Sequence, residues 1–304
     1  MSDGDFLDLF GIVTTVYNRR EKLKLLYKSL IQQSRKDFHW IIVDDGSTEN
    51  VEKMVKSWIK ENKIKIIFTR QKNMGKMNAL NNALKNLVDF KWFLVVDNDD
   101  ILGKNAIEIV INDIEEIEKK DRNFAGVIYP RYSENYDKKE LKKWDKVDSE
   151  INIMDLKYVY NIKESAIILN VKFVAQELPK LLSNSEKFLS EEILYNNLAK
   201  YGKFIVKNKL FYYFNYLNDG LTNNLVKNWK KNFRNSVLLF QSRYYSVADI
   251  SFQKRVIERI KTIMNLNALC ISTKNNFFKP SPNKVLSLLL LIPSFLYYLV
   301  KFRN

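Results

Sequence analysis

The chain has 304 residues, 46% of them hydrophobic and 13% aromatic, which is enough for a sizeable core and excludes global disorder. Its single cysteine, Cys270, excludes an intramolecular disulfide, and no His/Cys cluster is present to hold zinc. The net charge of +15 is uneven: residues 1–200 carry 33 basic against 32 acidic side chains and residues 201–304 carry 17 against 3, so the basic character belongs to the last third.

In chain order, "FGIVTTVY" (10–17) reads as a buried strand rich in β-branched residues. "REKLKLLYKSLIQQ" follows as a helix, with Leu23, Leu26, Tyr27, Leu30 and Ile31 at three- and four-residue spacing. "FHWIIVDD" is a second strand closed by the turn signal "DGST", residues 51–61 read as a helix, and "IKIIFT" is a third strand. "NMGKMNALNNALKNL" starts at a glycine and continues as a helix, "KWFLVVD" is a fourth strand, and an amphipathic helix covers 102–119. Alternation at this spacing predicts βαβ crossovers and a mostly parallel sheet flanked by helices, whose ligand binds outside the carboxyl ends of the strands. Three of those ends are polar, "VYN", "VDDGS" and "VDNDD", and should line one crevice. Beyond 130 the rhythm changes. Residues 131–160 are charged and irregular, 164–174 read as a strand or short helix, "SEEILYNNLAKYGK" as a helix, "FIVKNKLFYYFNY" as one or two strands, and 226–272 as mostly helical. The division expected is 1–130, 131–225 and a basic extension over 226–304.

Asp97, Asp99 and Asp100 crowd one strand end, where a hard divalent cation would relieve their repulsion, and the same residues also suit turn positions and a helix N-cap. Asp45-Gly46 makes a turn, and its carboxylate is equally suited to accept a nucleobase N–H. Gly75 and Lys76 stand at a helix start, where backbone N–H groups and a cation can meet a diphosphate. The only histidine, His39, lies on the entry side of its strand and is expected at an edge or the surface, away from the crevice. Cys270 has no nearby histidine, which speaks against thiol catalysis.

Together "TTVYN", "WIIVDDGST", "NMGKMNALNNAL" and "FLVVDNDD" resemble, in order and spacing, family 2 glycosyltransferases with the GT-A fold, closely over about 10–103 and more loosely to about 225. The resemblance implies Thr15, Tyr17 and Asn18 beside a nucleotide, and Asp45 on the base with Asp44 and Gly46 next to it. It implies Lys76 near the diphosphate, Asn98 beside it, and Asp97 and Asp99 as the family's Asp-x-Asp holding Mn²⁺ or Mg²⁺. "NMGK" departs from the family in having one glycine where many relatives have two. Inverting members place a carboxylate general base near a helix start on the acceptor half, which implies Glu191, with Glu192 in reserve. Acids in the first turn of a helix behind Ser190 also complement its dipole without any catalytic role. "NDGLTNN" (218–224) resembles a closing segment in a subset of the family, and a plain turn at Asp219-Gly220 explains it as well.

The resemblance implies a nucleotide-diphosphate sugar donor, a UDP-sugar foremost, and a glycan or lipid-linked glycan acceptor in bacterial surface polysaccharide such as capsule or lipopolysaccharide. "MSDGDFLDLFG" lacks the marks of a secretory signal, which predicts a cytoplasmic location. The run Val285–Val300, broken by Pro293 and followed by Lys301 and Arg303, is short of the about 20 residues a spanning helix needs and suits a segment lying in the membrane interface. A buried core helix or a subunit interface would read the same way. Two other readings remain. A sugar-phosphate nucleotidyltransferase usually carries a glycine-rich loop where this chain has "VYNRREKL". A non-enzymatic basic protein binding membrane or nucleic acid would leave the acidic crevice unexplained, and no nucleic-acid motif is present.

Overall fold

Strand β1 (Leu9–Val16) lies between β2 (Phe38–Asp44) and β4 (Phe90–Val95), with β3 (Lys65–Arg70) outside β2, and all four run parallel. The computed structural model describes residues 9–119, 123–133, 138–182, 185–214 and 225–303. The strands are joined by α1 (Arg20–Ile31), α2 (Val51–Glu61) and α3 (Lys76–Ala83), and β4 leads through β5 (Ile101–Leu102) into α4 (Ala106–Glu118). Successive strand residues face opposite sides, so both faces are buried. Ile12, Trp40, Ile42 and Leu94 pack with Leu23, Val55 and Val110 from α1, α2 and α4. Val13, Ile41, Val43 and Phe93 pack with Met77, Leu80 and Ala83 of α3. Helix α1 buries Leu23, Leu26, Tyr27 and Leu30, while Ile31 at its end is only partly covered.

The second half contains β6 (Gly126–Tyr132), a strand the sequence pattern did not mark, followed by α5 (Lys138–Lys142), β7 (Glu150–Ile151), α6 (Ile153–Tyr158) and β8 (Ser165–Asn170). Then come α7 (Val171–Leu181), α8 (Glu191–Leu198), β9 (Phe204–Val206) and β10 (Tyr212–Tyr213). The stretch 164–174 therefore resolves into a strand and the start of a helix, with the Asn170 side chain accepting from Lys172 N at the junction. The sheet continues across residue 130 in the order β3-β2-β1-β4-β8-β6-β10-β5. Its second half is mixed rather than parallel: β8 is antiparallel to both β4 and β6, and β10 is parallel to β6 but antiparallel to β5. The sheet is thus the expected helix-flanked α/β sheet, parallel only through its first four strands.

His39 is not on an edge strand. It pairs with Gly11 and Lys65 on either side, half-buried with its ring edge-on to Phe90, and burial and the Lys65 charge push its pKa down. It does sit at the entry end of β2, away from the polar strand ends. The chain closes with α9 (Leu225–Lys231), α10 (Phe233–Ser246), α11 (Phe252–Ser272), α12 (Lys284–Leu289) and α13 (Leu291–Lys301). Leu266, Ala268, Leu269 and Cys270 of α11 are fully buried, and burial raises the Cys270 thiol to about 12, which leaves it protonated and inert. No helix among the described residues is long and apolar enough to cross a membrane. The segment 218–224 lies outside the described residues.

Candidate active site

The carboxyl ends of β1, β2 and β4 open into a cleft of about 1350 Å3, closed on the far side by the start of α8 and one face of α9. Its floor is fastened by residues that do not themselves line it. Asn18, at φ 51°, accepts from Thr48 N at 2.7 Å and from Thr48 Oγ1 at 3.0 Å, and its own N–H donates to Ser47 Oγ at 3.0 Å. Asp44 is fully buried. It accepts from Ser47 N at 2.9 Å, and its other oxygen lies 3.5 Å from Arg70 Nε. Gly46 has φ 79°, and a Cβ there would come within 2.7 Å of Asn73 N. These three expected nucleotide residues shape the turns. Thr15, Tyr17, Asp45, Lys76, Asp97 and Asn98 line the cleft. Tyr17 lines the cavity and is 48% exposed. Asp45 is anchored more firmly than a free base acceptor: it takes bonds from Gln71 Nε2, Met74 N and Gly75 N, each at 2.8 Å, and so holds the loop before α3. Asn98 Nδ2 donates to Thr15 O at 3.1 Å, while its buried Oδ1 has no protein partner.

Each of the three aspartates after β4 faces a different cation. Lys76 Nζ lies 2.6 Å from Asp97 Oδ1, Arg19 Nη1 lies 3.2 Å from Asp99 Oδ2, and Arg131 Nη2 lies 2.6 Å from Asp100 Oδ2. Burial opposes charge on Asp97, but Lys76 and Arg131 outweigh it and hold the carboxyl below its ordinary value. Asp99 is pushed up by burial and by the charge of Asp97. Burial carries Asp100 up to about 7 despite Arg131. Tyr212 Oη donates to Asp100 Oδ2 at 2.7 Å and accepts from Asp97 N at 3.2 Å, and the Arg131 guanidinium lies over the rings of Tyr212 (4.5 Å) and Phe214 (4.8 Å).

Lys76 also reaches across the cleft: its Nζ is 2.6 Å from Glu191 Oε1 as well as from Asp97. Burial opposes the ammonium, and the two carboxylates raise it well above the ordinary lysine value. Tyr195, one turn along α8, donates to Glu191 Oε2 at 3.2 Å. Glu192 also lines the cleft but is held in a two-bond pair with Arg243 of α10 at 2.7 and 2.6 Å, which keeps its carboxyl low against burial. Ser190 occupies the cap position before α8 but makes no side-chain capping bond, so the helix start is held by these ion pairs instead.

Arg19, Arg131, Tyr195 and Tyr212 were not anticipated from the sequence. Arg19 adjoins "VYN" and carried that signal, whereas Arg131 sits on the unmarked strand β6. Asp97 and Asp99 offer oxygen donors of the kind hard divalent cations take, both on the cleft wall. Among the described residues no group of three His, Cys, Asp or Glu converges as a ready-made metal cage. The pair therefore fits a cation whose shell is completed by ligand oxygens, and Asp100, turned into Arg131 and Tyr212, is not part of it.

The model of glycosyl transferase family 2 matches residues 11–174, just over half of the chain. The chain belongs to glycosyltransferase family 2. Similar curated proteins include an uncharacterised glycosyltransferase of Rickettsia conorii, 33% identical over 35% of this chain and 17% of its own length. The teichoic acid poly(glycerol phosphate) polymerase of Staphylococcus epidermidis is 34% identical over 40% of this chain and 16% of its own length. Glycosyltransferase GlyG of Streptococcus pneumoniae is 27% identical over 42% and 41%. The chain thus spans less than half the length of these curated relatives. In fold, it resembles S. aureus TarS 1–349 in complex with UDP, with a TM-score of 0.59 and 14% identity over 97% of this chain and 91% of that one. The Pyrobaculum calidifontis mannosyltransferase PcManGT, in complex with GDP-Man and Mn²⁺, gives a TM-score of 0.52 and 12% identity over 97% and 85%. The family match ends before Glu191, while the fold likeness covers 97% of this chain.

Proposed function

We propose that this family 2 glycosyltransferase moves a hexosyl group from a nucleotide-diphosphate sugar, UDP-linked foremost, to a hydroxyl of a glycan or lipid-linked glycan acceptor, with inversion at the anomeric carbon. TarS complexes with UDP and UDP-GlcNAc and the PcManGT complex with GDP-Man support a nucleotide-sugar donor of this kind. The observation that carries the reading is the position of Lys76, whose one ammonium touches the donor-side carboxylate Asp97 and the acceptor-side carboxylate Glu191. A bond-exchanging centre between two substrates needs that convergence, and a structural ion pair does not.

In this reading the base stacks on Tyr17, and Asp45 keeps the loop 71–75 in place around it. Lys76 and Arg19 turn to the diphosphate. Asp97 and Asp99 would hold Mn²⁺ or Mg²⁺, which supplies charge neutralisation to the leaving diphosphate. Glu191 accepts the proton of the acceptor hydroxyl as its oxygen bonds to C1. The C1–oxygen bond to the diphosphate breaks with its electron pair leaving on the diphosphate. Such an enzyme would act in surface polysaccharide synthesis, peripheral on the inner face of a bacterial membrane.

The test is calorimetric binding of UDP, GDP and dTDP with and without Mn²⁺, on wild type, Asp99→Ala and Glu191→Gln. Metal-dependent binding of one nucleotide, lost in Asp99→Ala and kept in Glu191→Gln, is expected. Transfer should fall roughly a hundredfold or more in Glu191→Gln. A folded wild type that binds none of the three nucleotides would refute the reading.

A further inference from the structure

The two last helices are packed with their polarity reversed. Ser287 and Ser294 are fully buried against Asn267 of α11: Ser287 Oγ donates to Asn267 Oδ1 at 2.6 Å, and Asn267 Nδ2 donates to Ser287 O at 2.9 Å and to Ser294 Oγ at 3.3 Å. With serine facing inward, the aliphatic residues face out. Val285, Leu289, Ile292 and Val300 are 71, 72, 76 and 76% exposed, and Leu288, Phe295, Leu296 and Leu299 stand exposed among them. Their three- and four-residue spacing runs through both helices and makes one stripe. The break at Leu290 leaves it continuous: Pro293 in the first turn of α13 has no N–H for the Leu289 carbonyl, so the helix restarts rather than ends. Isolated exposed apolar residues need no explanation, but a continuous row of them does.

We infer that the outer face of α12 and α13 is a seat for an anionic lipid surface. Lys284 stands at one end of the stripe and Lys301 and Arg303 at the other, all exposed, and residues 274–303 contain no acidic side chain. Aliphatic insertion flanked by cations is what an anionic bilayer interface takes up. A second copy of the chain is a poorer occupant, because two such faces would bring lysines and arginines together with no carboxylate between them. One helix, α9, separates the end of the seat from the cleft. Phe302, buried behind the stripe, stacks on Trp229 of α9 with centroids 6.1 Å apart, and Asn228 and Lys231 of the same helix line the cleft. A lipid-linked acceptor would therefore meet the cleft beside the membrane. The inference rests on the membrane association proposed above and not on the sugar chemistry.

The full chain should be sedimented with vesicles of phosphatidylcholine alone and of equal parts phosphatidylcholine and phosphatidylglycerol, alongside light scattering for oligomeric state and calorimetry for nucleotide. Wild type should bind the anionic vesicles, less tightly at high salt, and leave the neutral ones. Leu289→Glu with Leu296→Glu, at exposed positions the fold does not use, should lower partitioning by at least about tenfold and leave nucleotide affinity unchanged. Failure of the wild type to sediment with anionic vesicles, equal binding by the double variant, or a wild-type dimer that the variant converts to monomer would each overturn the seat. Nucleotide affinity, read separately, tells its failure from failure of the transferase reading.

Discussion

Arg131→Met removes the one cation of the cluster that is built into the sheet. The guanidinium is 2.6 Å from Asp100 Oδ2 and 3.6 Å from Glu164 Oε2, and lies against the rings of Tyr212 and Phe214. Methionine keeps the packing volume and the ring contacts but leaves Asp100 buried with only the Tyr212 hydroxyl. Where Asp100 is ionised, stranding it without its partner costs up to about 3–5 kcal/mol, a large share of the about 5–15 kcal/mol by which folded domains are stable. Asp100→Asn alone takes from the arginine its nearest carboxylate and leaves Glu164 at 3.6 Å, whereas the double variant removes both members of the pair. The double variant should therefore be more stable than the sum of the single losses predicts, by about 2 kcal/mol.

The pH dependence follows from the direction of the Asp100 shift. Its folded carboxyl, at about 7, lies above the unfolded value of 3.8, so the stability it contributes is present at low pH and is lost as pH rises through 7. Without Arg131 the folded value climbs further. The deficit of Arg131→Met against wild type should then be constant below pH 7 and grow by about 1 kcal/mol per pH unit above it. Urea unfolding followed by far-ultraviolet circular dichroism at pH 6 and at pH 8.5, on the four chains of the cycle, measures both effects. A single-variant loss under about 1 kcal/mol, strict additivity in the double variant, or a deficit that does not change with pH would refute the reasoning.

Glu192→Gln breaks the two-bond pair with Arg243 and should lower stability by about 1–3 kcal/mol in a thermal melt. It should retain far more transfer than Glu191→Gln, and equal loss in the two would move the base to Glu192. Gly75→Ala places a Cβ at φ 93° against the carbonyl of Lys187 and displaces the loop that Asp45 holds. Its nucleotide affinity, read by calorimetry, should fall at least about tenfold, consistent with a loss of about 1–3 kcal/mol at a strained turn.

The first four strands were legible because a parallel sheet buried on both faces writes itself as continuous apolar runs, and the polar residues that end those runs fall at one edge. Legibility stopped at side-chain direction. Asp44 and Asp45 are neighbours of one chemical type, yet one is sealed beneath the turn and the other holds the loop at the cleft wall. Strand β6 is hard to read from sequence because "GVIYPRY" contains a proline, which argues against an interior strand. The structure shows why it is tolerated. Ile128 and Tyr132 direct their carbonyls to Lys207 N and Phe214 N, so Pro130 faces the same side. That side is vacant between the pairing of β9, which ends at Ile128, and that of β10, which begins at Arg131. The missing N–H falls where no neighbour needs it. With the strand went Arg131, whose role depends on the antiparallel β8 that sets β6 next to β4's continuation, and no local pattern encodes that pairing.

The strand that ends in three aspartates is stable because three different elements answer it. Lys76 comes from the start of α3, Arg19 from the turn after β1, and Arg131 from β6. They are not equivalent. Arg131 also lines the cleft, but it is the least exposed of the three and is clamped by two rings and by Glu164. Lys76 and Arg19 stand on the cleft wall with part of their side chains exposed. A diphosphate entering the cleft, as proposed, would compete first for the more exposed Lys76 and Arg19 and leave Arg131 with Asp100. Asp97 and Asp99 are the carboxylates left short of positive charge when it does, and Asp100 is the fixed point against which they are held. The chemical difference among three identical side chains thus lies in which cation each can lose.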